Sequence, residues 1–283
     1  MSPRDHPTRG AIVVGVDEAD VTDRSLAWAA QEAVVEGRPL VLLHATGPAD
    51  RVGESWWASW DPARVLTAQE VADGAAALLR AAASRVASWH PGLEVRTMVS
   101  AEDPCPELVL AGRDAHLLVL GSRGHGLARV VPTHQVGAWV AHRAACPVVV
   151  VPEQTMDLVR QGVLAGDAFD EGADRVLAFA FRHASAHGLT LTVAHVGDGG
   201  AGVADEVRRL AASVSGQSER FPDVRVALRV LPGRPTARLL RVAERMDLLV
   251  VGRHRGHGVR EVATGHVHTS IVDRVACPVA VVP

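Results

Sequence analysis

The chain has 283 residues, 48% of them apolar and 22% charged, with Lys+Arg 29 against Asp+Glu 32 and a formal net charge of −3. At about 100–200 residues per domain this length predicts two domains or one large one, and the balanced charge supplies no basic field for general nucleic-acid binding. Apolar runs of about seven residues fall far short of the ~20 that cross a bilayer, and the opening MSPRDHPTRG has no signal-type stretch, so a soluble cytoplasmic protein with no membrane partner is expected.

Every one of the 29 basic residues is Arg, and Tyr is absent. A phosphate-cradling loop ending in G-K-[ST], a Schiff-base lysine and a Tyr/Lys proton relay are therefore excluded. The 3 cysteines are odd in number and widely spaced, which suggests reduced thiols rather than a disulfide framework or a four-ligand zinc site.

In chain order, short β-branched runs predict strands at 11–16, 40–45, 93–99, 117–121 and 148–151. Amphipathic stretches near 23–36, 67–89, 104–113 and 134–143 predict the intervening helices. The same alternation returns with strands at about 162–166, 189–196, 224–231, 247–252 and 278–282. Near-continuously apolar strands alternating with helices argue for a parallel sheet covered on both faces, with right-handed crossovers.

The return is an internal repeat. Ala145-Cys146-Pro147-Val148-Val149-Val150-Val151-Pro152 is echoed by Ala276-Cys277-Pro278-Val279-Ala280-Val281-Val282-Pro283, an offset of 131 (277 − 146). Leu117-Leu118-Val119-Leu120-Gly121 recurs as Leu248-Leu249-Val250-Val251-Gly252 at that offset. Nearer the start of each copy, Leu42-Leu43-His44 matches Val193-Ala194-His195 at an offset of 151 (195 − 44). The first copy thus carries an insert around 46–70, with Trp56, Trp57 and Trp60 in it, and all 6 tryptophans belong to this copy. The expected architecture is α/β: two Rossmann-like, doubly wound domains, 1–152 and 161–283, each with a five-stranded mainly parallel sheet. An apolar last strand is an aggregation hazard when left at an open edge. The two homologous last strands can cover each other, so an internal pseudo-dimer is expected.

Ligands of open parallel sheets bind beyond the carboxyl ends of the strands, where strand order reverses. In the first copy the first strand runs into Asp17 and the fourth into Gly121-Ser122-Arg123-Gly124-His125-Gly126, ahead of a helix near 134. Glycines admit close backbone approach, and a helix start offers free N–H groups to an anion. The arrangement suits a nucleotide, its base near the first strand and its phosphates in the loop.

Val-Gly-Val-Asp after the first strand, G-S-R-G-x-G after the fourth and Cys-Pro-Val-Val-Val-Val at the domain end together resemble the universal stress protein family, here in tandem form over essentially the whole chain. The resemblance implies dimerisation through the last strand, a role in stress response with regulatory protein partners, and, in some members, ATP bound through G-x2-G-x9-G-[ST]. Carried over, it implies nucleotide contacts from Asp17, Gly121, Ser122, Arg123, Gly124, Gly126, His134, Gln135 and Val136. In the second copy it implies Gly252, Arg253, Gly265 and His266. Both halves depart from the pattern: the later Gly-Ser/Thr pair falls on His134-Gln135 in the first and on Gly265-His266 in the second, where Arg255 also replaces a glycine. At the place of Asp17 the second copy offers Ala168 at an offset of 151, or Asp167 with a one-residue shift. The expectation is a regulatory adenine-nucleotide (ATP) module for which catalysis is not the main role; the alternative is a dimerisation scaffold that binds no nucleotide. An outside third reading is a slow ATPase, for which the sequence supplies no identifiable general base or metal-holding carboxylate pair at the loop.

Other patterns carry less. His254-Arg255-Gly256-His257 matches H-x-G-H but follows the fourth strand, where a nucleotidyltransferase motif would follow the first. With His266 and His268 these histidines form a cluster, yet residues two apart on a helix diverge by about 200°, so no metal site is expected. Cys146 and Cys277 read as buried small apolar residues, no G-x-S-x-G elbow is present, and the Trp insert reads as a lid, a docking patch or a segment folded on its own domain.

Overall fold

The computed structural model describes residues 7–17, 22–47, 67–122, 136–152, 161–197, 202–253, 271–272 and 274–283. In chain order the first copy holds β1 (Ile12–Gly15), α1 (Thr22–Glu36), β2 (Leu40–Ala45), α2 (Ala68–Trp89), β3 (Val95–Ser100), α3 (Pro104–Ala111), β4 (Leu117–Ser122), α4 (Val136–Arg143) and β5 (Val148–Pro152). The second holds β6 (Val163–Gly166), α5 (Ala173–His187), β7 (Leu191–Gly197), α6 (Val203–Arg220), β8 (Val226–Pro232), α7 (Pro235–Ala243), β9 (Leu248–Gly252) and β10 (Val279–Val282). Every strand expected from the sequence is present.

Local chemistry sets the helix ends. Thr67 caps α2 in a reciprocal box, its hydroxyl accepting from the Glu70 N–H at 3.2 Å while Glu70 Oε2 accepts from the Thr67 N–H at 2.8 Å. Asp103 caps α3 by accepting from the Cys105 N–H at 3.1 Å, and Pro104 takes the first helical position, where no N–H is needed. Gly188 ends α5 in the left-handed region at φ 63°. Ala75, Leu79, Ala82 and Val86 form the buried stripe of α2, spaced at three and four residues.

The chain divides into two compact units, residues 1–121 with 143–146 and residues 122–142 with 147–283. In the first, β3, β2, β1 and β4 lie side by side in that order, all parallel, with Ile12 facing both Leu40 and Leu117. Ile12, Val13 and Val14, like Leu40 to Leu43, are all buried. Because successive side chains point to opposite faces, such runs mean that both faces are covered. The outer strand β3 alternates instead between half-buried and exposed residues.

In the second unit the order is β5, β10, β9, β6, β7, β8. The strands of the second copy are mutually parallel, and β5 joins them antiparallel, Val150 facing Val279. The two repeated Cys-Pro strands therefore pair with each other, which satisfies the edge of each. That pairing also groups β5, the last strand of the first sequence copy, with the second compact unit.

The repeat reappears bond for bond. The Ile12 N–H donates to Pro39 O as Val163 N–H does to Thr190 O, and His90 N–H donates to Val86 O as Phe221 N–H does to Gln217 O. The first pair keeps the 151 offset and the second the 131 offset.

Candidate functional site

In the first unit β1 lies between β2 and β4, so the chain leaves β1 toward β2 and later returns on its other side. Strand order reverses there. β1 and β4 are parallel and paired up to Val14↔Val119, so Asp17, just after β1, and Gly121, near the end of β4, open at the same end of the sheet. At this rim a Cβ on Gly15 would stand 2.8 Å from Leu120 Cδ2, so any larger residue would displace that leucine. The ring of His44, on β2, is fixed by a 2.8 Å hydrogen bond between its Nδ1 and Val16 O.

Asp17, Gly121 and Ser122 are each half-buried, as is Val136, the first residue of α4. Arg123, Gly124, Gly126, His134 and Gln135 lie outside the described residues, and so do Trp56, Trp57 and Trp60. Of the first-copy residues inferred from the motif, the structure thus brings Asp17 and Gly121 to one rim.

The second unit repeats the switch at β6 and β9. Gly252 ends β9, and the Arg253 N–H donates to Val282 O at 2.7 Å. Gly265, His266 and the other histidines of that cluster lie outside the described residues. His195 Nδ1 bonds Asp167 O at 2.8 Å, the same contact that His44 makes with Val16 O. Asp167 therefore stands in the place of Val16, and Ala168, not Asp167, stands in the place of Asp17.

Asp167 has a different task. Its side chain is buried, with Oδ2 accepting from the Ser213 hydroxyl at 2.8 Å and Oδ1 from the Phe169 N–H at 2.7 Å. Phe169 has φ 55°, the one non-glycine with positive φ among the described residues. That conformation costs an L-residue about 1–2 kcal/mol. Its ring stacks on His195 with centroids 4.0 Å apart, and the Arg209 guanidinium lies over it at 4.2 Å. Ring stacking of about 0.5–1.5 kcal/mol and a cation–π contact of about 0.5–1 kcal/mol offset the backbone strain. The first crevice has Val16 and Ala82 where the second has Asp167 and Ser213, two buried apolar residues in place of a hydrogen-bonded pair.

Sequence reasoning does not single out Phe169, Ser213 or Arg209. The pairing of His44 with His195 in the repeat was the available signal, together with the fact that all 4 phenylalanines fall in the second copy.

The cysteines are free thiols. Burial pushes the Cys146 thiol up to about 12, and Cys277 is fully buried. Burial, then the charge of Asp103, raises the half-buried Cys105. Neither Cys105 nor Cys146 is a poised thiolate. No helix among the described residues is long and apolar enough to cross a membrane.

A profile of the universal stress protein family matches residues 8–152 and again 160–283. A universal stress protein of Mycolicibacterium smegmatis is 32% identical over 291 residues, covering 97% of both chains. One from Mycobacterium tuberculosis is 28% identical over 292 residues, covering 95% of this chain and 96% of its own. Among solved structures, a universal stress protein from Archaeoglobus fulgidus matches with a TM-score of 0.72 at 20% identity, covering 96% of this chain and 95% of the other.

Proposed function

Since the chain belongs to the universal stress protein family, with two copies of the family domain, we propose that it is a regulatory module that binds an adenine nucleotide, ATP first among them, in its first half. It turns over no substrate: the ligand changes the state of the protein, and a protein partner reads that state. One observation carries this reading. Asp17 and Gly121 meet at the rim where strand order reverses, with the glycine-rich sequence 121–126 beginning there.

In this reading Asp17 is an acceptor for the exocyclic amine of the base, and the backbone N–H groups beyond Gly121 face the phosphates. His134 and Gln135, which replace the small residues of the family pattern, donate from their side chains. A second reading rests on those same replacements: large side chains where phosphate passes close to backbone favour a scaffold without nucleotide.

The experiment is direct. Purified protein is denatured, and the supernatant is examined by mass spectrometry for adenine nucleotide; unloaded protein is then heated with and without millimolar ATP. The nucleotide reading expects a bound nucleotide or a rise in Tm that Asp17→Ala removes. No nucleotide and no shift would overturn it in favour of the scaffold.

A further inference from the structure

In the second crevice the chain's own Phe169 covers an aromatic face. Aromatic side chains serve planar bases as stacking platforms, and His195, held by Asp167 O at 2.8 Å, is such a face at this end of the sheet. Phe169 already lies on that face, its ring 4.0 Å from the imidazole and inclined by 27°. The ring is not there by default, because its backbone is held in a conformation that side chains avoid.

Two polar groups hold it there. Asp167 accepts from the Phe169 N–H, and Ser213 on α6 ties down the other carboxylate oxygen. The first half has neither: Val16 and Ala82 stand in those positions. At the position of Phe169 the first half has Glu18, and at that of Arg209 it has Leu78. Three replacements thus converge on a fourth, the ring itself, on one side of the repeat only.

We propose that Phe169 closes the second half to purines and other planar ligands by occupying the stacking face of His195, so that the chain carries one nucleotide site rather than two. The count of one rests on the nucleotide reading of the first half; the closure does not.

Full-length protein and its Phe169→Gly variant are compared by equilibrium dialysis against labelled ATP and AMP. Glycine accepts the positive φ and removes the ring. The variant is expected to bind one equivalent more than the unaltered protein, and equal numbers overturn the closure. An unaltered protein that binds none beside a variant that binds one leaves the closure standing and removes the first-half reading. One equivalent on each does the reverse.

A second measurement holds even if that variant does not fold. With 4-fluorophenylalanine all 4 labels fall in the second copy, and the Phe169 resonance is assigned by its loss in Phe169→Leu. In the unaltered protein this resonance stays in place through an ATP or AMP titration; a saturable shift overturns the proposal. In the double variant Asp167→Val/Ser213→Ala, which restores the residues of the first half, the resonance moves toward that of a free ring and a nucleotide titration shifts it further. A resonance unaltered by the double substitution overturns the role given to the polar pair.

Discussion

Replacing Ser213 by Ala should cost far more alone than together with Asp167→Val. The single change strips a hydroxyl donor at 2.8 Å from a carboxylate that is 3% exposed. Hydrogen bonds to charged groups contribute about 1.5–3 kcal/mol net, and a buried acceptor left alone keeps its desolvation cost, so a loss of about 2 kcal/mol is expected. Asp167→Val alone leaves the Ser213 hydroxyl its bond to Leu210 O at 3.0 Å and deprives the Phe169 N–H of its acceptor, a loss of about 1 kcal/mol. In the double variant no buried carboxylate is left, and valine against alanine is the packing of Val16 and Ala82 in the first copy. Its cost should match that of Asp167→Val alone, about 1 kcal/mol, leaving a coupling of about 2 kcal/mol. Urea unfolding followed through fluorinated phenylalanines reports the second copy, while tryptophan fluorescence reports the first. Single costs that add to within about 0.5 kcal/mol would show that the two side chains are not coupled, and the account of the second crevice would fail.

Three other perturbations test different parts of the fold. Glu36 Oε2 lies 2.6 Å from His116 Nε2 and accepts from Arg38 Nε at 3.0 Å; burial raises its pKa, but the bond and charge of His116, with the Arg38 bond, outweigh this and hold the carboxyl below its ordinary 4.5. A depressed pKa stabilises above the unfolded value and is lost as pH falls through the folded one, so stability should decline more steeply below pH 4.5 in the natural protein than in Glu36→Gln; equal slopes in acid unfolding would refute the pairing. Gly162→Ala places a Cβ 2.3 Å from Thr190 O at φ +97° and should cost at least ~3 kcal/mol, whereas Gly74→Ala, in open space on α2, should gain about 0.5–1 kcal/mol; similar melting temperatures for the two would contradict the packing described. Native alkylation at pH 8, read by peptide mass spectrometry, should label Cys105 first and leave Cys146 and Cys277 unmodified until unfolding; early labelling of Cys146 would contradict its burial.

The strands were legible because β-branched apolar runs of four to seven residues between amphipathic stretches fit few other structures. The pairing of β5 with β10 was legible for a related reason, since two copies of one apolar edge in one chain have each other as the available cover. The rim at Asp17 and Gly121 followed from strand order. What the sequence left open was the register of Asp167 against Ala168, because a one-residue slip costs nothing in an alignment. In the sheet that slip would turn every side chain to the opposite face. The His195 bond to Asp167 O settles it by copying the His44 bond to Val16 O.

Phe169 was illegible for a deeper reason. An aromatic residue three positions beyond a strand gives no sign that it will take φ 55°, since propensity argues against that conformation. Its placement depends on Asp167, which is held by Ser213, 46 residues from that aspartate, through a bond that only the folded chain makes. Duplication explains why such a device could arise on one side alone. Once two crevices exist, either can be altered while the other keeps its own rim. The order of change matters, however, because the carboxylate without the hydroxyl is a buried charge short of a partner, whereas the hydroxyl without the carboxylate keeps its bond to Leu210 O. The asymmetry of the halves is therefore a property of a coupled set of residues, and no motif that scores positions one at a time registers it.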